Sequence, residues 1–85
     1  MGSYRILIKP SAVKEIEALP QRDRQRVVAR IRGLSGAPRP PGYEKLSGQY
    51  KYRVRQGAYR VVYPVDDVEA SILIVKVGRR IEVYR

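Results

Sequence analysis

Tyr50-Lys51-Tyr52-Arg53-Val54-Arg55-Gln56-Gly57-Ala58-Tyr59-Arg60-Val61-Val62-Tyr63 alternates with period two on either side of a glycine, the mark of a β-hairpin. Strand alternation places Tyr50, Tyr52 and Val54 on one face and Lys51, Arg53 and Arg55 on the other. The apolar set faces a core and the three cations face solvent. With Gln56-Gly57 as the turn, Arg53 lies directly opposite Arg60, and Lys51 lies opposite Val62. Like charges opposed in a sheet cost from a few tenths to about 1 kcal/mol. A fold gains nothing from such a pair, whereas a phosphate bridges two planar guanidinium forks well.

The rest of the chain arranges itself around this hairpin. Tyr59 to Val65 is β-branched and aromatic, and Ser71 to Val77 is a nearly all-apolar strand, with Asp66-Asp67 as the turn between them. Upstream, Tyr4-Arg5-Ile6-Leu7-Ile8-Lys9 predicts a short buried strand. Pro10 suits the first turn of a helix, where its missing N–H costs nothing. Val13, Ile16 and Leu19 follow at helical spacing until Pro20, and Val27, Val28, Ile31 and Leu34 mark one face of a second helix. Residues 35–42, rich in Pro and Gly, form a connecting loop. The order is strand, helix, helix, then three strands in an antiparallel meander. This is an α+β domain with a helical hairpin packed on one face of one sheet.

Eighty-five residues suffice for a single domain, 1–85. Eighteen Lys+Arg stand against eight Asp+Glu, a net charge of +10 that a fold does not need and that asks for an anionic partner. The chain has no His and no Cys, which removes disulfides, Cys- or His-ligated zinc and every imidazole-based mechanism. No long apolar run or signal-peptide pattern is present, so the expected location is cytoplasmic, with no membrane partner.

Between Lys45 and Val65 lie five cations and no acid. Val77-Gly78-Arg79-Arg80-Ile81-Glu82-Val83-Tyr84-Arg85 adds a second basic cluster beside an aromatic. Cations interleaved with rings suit unstacked single-stranded RNA better than duplex DNA. A solvated strand face that happens to be basic is the competing reading. The second helix competes as the nucleic-acid surface, but Arg22, Arg26 and Arg30, with Arg24 and Arg32, fall around it. Their expected part is long-range attraction to a polyanion. Asp66, Asp67 and Glu69 cluster between two strands, where Asp-Asp makes a turn, so no metal or other cofactor is expected.

The element order, the segment Leu46 to Arg55, the Tyr59-Arg60-Val61-Val62-Tyr63 strand and the Val77-Gly78-Arg79-Arg80-Ile81-Glu82-Val83-Tyr84 ending together resemble the RelE/ParE toxins of bacterial toxin–antitoxin systems. The likeness spans essentially the whole chain. It implies the RelE-like microbial RNase fold. For RelE-type members it implies a ribosome-dependent mRNA endonuclease that cuts in the A site of the 70S ribosome without metal. There the 2′-hydroxyl attacks the adjacent phosphate, leaving a 2′,3′-cyclic phosphate. On that resemblance the catalytic set is Lys51, Arg53, Arg60, Arg80 and Tyr84, with Arg55, Arg79, Lys45, Arg22, Arg26 and Arg30 contacting RNA or ribosome. Lys51 is the one hairpin cation able to serve as a base, since guanidinium stays protonated. Arg53 and Arg60 hold the phosphate, Arg80 stabilises charge more readily than it donates a proton, and Tyr84 stacks on a base or orients the 2′-hydroxyl. Arg53 departs from the family, where a second lysine stands.

The implied partner is a RelB-type antitoxin. A +10 surface independently calls for an acidic, partly disordered chain that folds on contact. Operator DNA is reached only through that antitoxin. Two other functions compete: a ParE-like inhibitor of DNA gyrase on the same fold, and a non-catalytic RNA- or ribosome-binding module.

Overall fold

The structure is a computed structural model and describes residues 3–46 and 50–79. The elements run β1 (Arg5–Ile8), α1 (Pro10–Glu17), α2 (Gln21–Gly33), β2 (Glu44–Lys45), β3 (Lys51–Gln56), β4 (Tyr59–Asp66), β5 (Ser71–Ile74) and β6 (Lys76–Arg79). They build an α+β fold. One sheet has the order β1-β5-β4-β3-β2, and β6 also pairs with β4. No helix among the described residues is long and apolar enough to cross a membrane.

Both helices pack on one face of the sheet. Ala12 and Ile16 of α1, Val27 and Ile31 of α2 and the following Leu34 are buried there against Val54, Tyr59, Val61, Tyr63, Ile72, Ile74 and Val77. The expected face of α2 is the buried one, with Val28 at its margin. In α1 the helical spacing misplaces one residue. Val13 is exposed at 36% and Ala12 is fully buried, because the buried stripe runs through Ala12 and Ile16, four residues apart, and Val13 lies about 100° around the helix from Ala12.

The hairpin register differs from the one read above. Gln56 pairs with Tyr59, so the two-residue turn is Gly57-Ala58, with Gly57 at φ +61. Glycine at the first central position suits a type II′ turn, whereas a Gln56-Gly57 centre would force glutamine into a left-handed conformation. Arg53 therefore faces Val62, Lys51 faces Pro64, and the opposed cations are Arg55 and Arg60. The register moves by two residues, so every side chain keeps its expected face.

The strand expected over 71–77 is bent. Val65 pairs with Ile72, but Val62 pairs with Lys76, so Tyr63 and Pro64 face three residues, Leu73, Ile74 and Val75. This is a β-bulge, and Pro64, which lacks an N–H, is tolerated in a central strand at such a place. The extra residue inverts the parity beyond it: Ile72 and Ile74 are buried, and then Val77. The N-terminal strand also departs from expectation. β1 runs parallel to β5 at the sheet edge, with Leu7 47% and Ile8 37% exposed, because nothing among the described residues covers its outer side.

The loop after α2 is pinned to the helix side of the sheet. Arg39 donates to both carboxylate oxygens of Asp67 at 2.8 and 3.2 Å and lies 5.0 Å from the centre of the Tyr52 ring. Hydrogen bonds from Arg39 and from the Tyr4 hydroxyl hold the Asp67 carboxyl below its ordinary range. Tyr43 meets Tyr52 edge-on at 5.8 Å, and the Tyr63 hydroxyl donates to the Pro38 carbonyl at 2.8 Å. These contacts deliver β2 to the edge of β3.

Burial pushes the Tyr63 phenol up to about 12 from an ordinary value of 10.0. The folded form thus favours the neutral phenol, a contribution to stability that is complete below the unfolded value and lost as pH rises through the folded one. Alkaline melts are expected to show wild type losing stability between about pH 10 and 12 more steeply than Tyr63→Phe. At neutral pH the variant lacks the Pro38 bond and is less stable by about 1 kcal/mol.

Candidate functional site

The sheet face away from the helices carries the cations. By register it bears Lys51, Arg53 and Arg55 from β3, Arg60 and Val62 from β4, and Lys76 and Gly78 from β6. Arg60 stands at its centre, between Arg55 on one side and Gly78, which presents no side chain, on the other. Arg60 is only 2% exposed, and one of its terminal nitrogens donates to the Tyr59 carbonyl at 3.3 Å. Arginine is seldom so enclosed, and Arg55 lies directly opposite.

Arg53 is not the open fork that strand alternation suggested. Its Nε donates to the Glu44 carboxylate at 3.0 Å, and its side chain is 11% exposed. Glu44 sits directly across on β2. Sequence reading missed it because a two-residue strand has no periodicity, and because Glu44 lies one residue before the acid-free stretch. Arg55 is exposed, and Lys51 is half-buried beside Pro64. Lys76, at the edge, reaches the Glu15 carboxylate of α1, whose other oxygen accepts from the Val77 N–H at 2.9 Å.

The structure brings Lys51, Arg53, Arg55 and Arg60 onto one face and sets other expected residues apart. Lys45 pairs with Tyr52, which places it on the helix side. Arg79 pairs with Tyr59, also on the helix side, where it lines a recess of about 270 Å³ with Glu15, Leu19 and Pro20. The bulge is the reason: an unbroken strand would have carried Arg79 to the cationic face. Arg22 and Arg26 are exposed on α2, across the sheet from the hairpin cations. Arg30 is half-buried, with its Nε enclosed and no hydrogen-bond partner for that atom, so it belongs to the solvated face of α2 only in part. Arg80 and Tyr84 lie outside the described residues. Asp66 accepts from the Glu69 N–H at 2.9 Å and Asp67 holds Arg39, so the acidic cluster serves its turn and the loop.

The described residues thus form a sheet covered by two helices on one side and bearing lysines and arginines on the other. The sequence profile of the ParE toxin of type II toxin–antitoxin systems (parDE) matches residues 6–84. Toxin RelG of Mycobacterium tuberculosis is 30% identical over 86 residues, spanning 96% of this chain and 97% of its own. The RelE–RelB complex from the archaeon Pyrococcus horikoshii superposes with a TM-score of 0.83 at 32% identity, over 92% of this chain and 96% of the other. The isolated Escherichia coli RelE toxin superposes with a TM-score of 0.80 at 28% identity, over 96% and 92%. The chain belongs to the RelE/ParE superfamily and is a toxin of a type II toxin–antitoxin system.

Proposed function

We propose that this toxin is a ribosome-dependent endonuclease of mRNA that cuts in the A site by attack of a 2′-hydroxyl on the neighbouring phosphate. The observation that carries the reading is Arg60, buried at the centre of the cationic face and directly opposed by Arg55. In this reaction the 2′-oxygen bonds to phosphorus and loses its proton to the Lys51 amine, which must enter the step unprotonated, and the added charge on the phosphorane falls to Arg60 and Arg53. The bond to the 5′-oxygen then breaks, and that oxygen takes a proton from water. The products are a 2′,3′-cyclic phosphate and a free 5′-hydroxyl. Arg80 and Tyr84 complete the set through the family resemblance. A face of Lys and Arg repels divalent cations, which favours side-chain chemistry over metal assistance. The ribosome supplies the positioning of the message that so small a toxin lacks, so free RNA is cut poorly.

The partner that silences the toxin is an acidic RelB-type antitoxin that folds on binding, in keeping with the net charge of +10 and with the RelE–RelB neighbours. Operator DNA is met only through it, and the complex is cytoplasmic.

The test is incubation with a programmed 70S ribosome followed by primer extension. Cuts in the A-site codon are expected, and intact codons overturn the reading. The match to the ParE profile favours one second reading, inhibition of DNA gyrase. Gyrase-dependent DNA breaks with unharmed translation would establish it. A Lys51→Ala variant that keeps full growth inhibition would instead indicate a non-catalytic ribosome-binding module.

A further inference from the structure

Glu44 is an acid set directly against the cations of the hairpin face. It comes from a strand of two residues, and that strand is held in place by the pinned loop before it. The ladder continues past it, with the Leu46 N–H donating to the Lys51 carbonyl at 2.9 Å. Its carboxylate, 41% exposed, bonds Nε of a guanidinium whose side chain is 11% exposed. A bond at Nε fixes the plane of the arginine fork and its rotation about the stem, and a fork must be aimed before it can grip a phosphate. The same carboxylate also places a negative charge beside the position a phosphate would take. An exposed ion pair elsewhere on a protein contributes little, but here it acts on one of the five cations that the register places on the face.

We propose that Glu44 is a positioning residue: its carboxylate aims the Arg53 guanidinium at the substrate phosphate and, by offsetting its charge, weakens the grip of the hairpin face on RNA. This rests on the endonuclease reading. It deepens that reading by separating orientation from charge. The two effects come apart on substitution. Glu44→Gln keeps an oxygen acceptor for Nε and removes the negative charge, whereas Glu44→Ala removes both.

Two measurements test this with the full-length toxin. The first is single-turnover cleavage on programmed ribosomes. Glu44→Ala is expected to lower the cleavage rate about 10-fold, and Glu44→Gln to retain most of the rate with KM reduced about 3-fold. In an Arg53→Ala background neither substitution is expected to change the rate further. The second measurement is binding of a non-cleavable 2′-O-methyl RNA oligonucleotide across a salt series, which needs no catalysis. Glu44→Gln is expected to bind more tightly and to steepen the salt slope by about 0.7, the value for one more phosphate neutralised on a single strand. Glu44→Ala at the wild-type rate, equal losses in Gln and Ala, or the same loss without Arg53 would each overturn the placement of Arg53 by Glu44. An unchanged salt slope would overturn the offsetting of its charge. If wild type leaves ribosome-bound mRNA intact, the endonuclease reading falls by itself, and the salt series still decides whether Glu44 restrains phosphate binding.

Discussion

Arg60→Ala is expected to abolish codon-phased cutting of mRNA, with a fall in single-turnover rate on programmed ribosomes of about 100-fold or more. Removing one fixed donor to a developing oxyanion costs on the order of 10²–10³ in rate. Arg60 has the features that raise such a cost. It is 2% exposed on the central strand, where low dielectric strengthens its field, and it is held between two neighbouring strands. Arg60→Lys keeps the charge and loses the planar fork, so its rate should fall between those of wild type and the alanine variant. Primer extension in bacteria expressing each variant provides the cellular readout, with codon-phased stops for wild type alone. Cutting by Arg60→Ala at the wild-type rate would remove Arg60 from the reaction. A thermal melt of each variant separates loss of chemistry from loss of fold.

The second large effect is on stability. Ile72→Ala is expected to cost about 2–5 kcal/mol, the range for emptying a packed core position. Ile72 is fully buried on β5, in register with Ile6 of β1 and Val65 of β4, beneath the helices. For a domain of this size the loss corresponds to a Tm lower by about 10 °C or more, read by thermal or urea unfolding. The adjacent Leu73→Ala serves as the control. Leu73 points to the other face and is 38% exposed, so its removal should cost about 1 kcal/mol or less. Similar losses in the two variants would contradict the strand parity on which the site assignment depends.

Much of this molecule was legible in its sequence because two periods govern it. The 3.6-residue spacing of Val27, Ile31 and Leu34 found the buried face of α2, and the two-residue alternation of β3 and β4 sorted Tyr52 and Val54 from Lys51, Arg53 and Arg55. A two-residue register error left those faces intact, so Arg60 joined the right cations although its opposed partner is Arg55 rather than Arg53. Elements that pattern does not encode were missed. β2 is too short to show a period, and its Glu44 becomes relevant only when the chain folds back beside Arg53. Arg30 reads as a surface cation, yet packing encloses its Nε.

By itself the sequence determined the α+β order and the cationic character of the hairpin, because composition and side-chain alternation are local properties. Only the tertiary structure decided that Arg79 leaves the face of the hairpin cations and that Glu44 joins it. A single extra residue in the bulge at Leu73–Val75 inverts the strand beyond it, putting Val77 into the core and Arg79 on the helix side while Gly78 comes to lie beside Arg60. A bulge is defined by the count of residues on two paired strands, and neither strand carries that count alone.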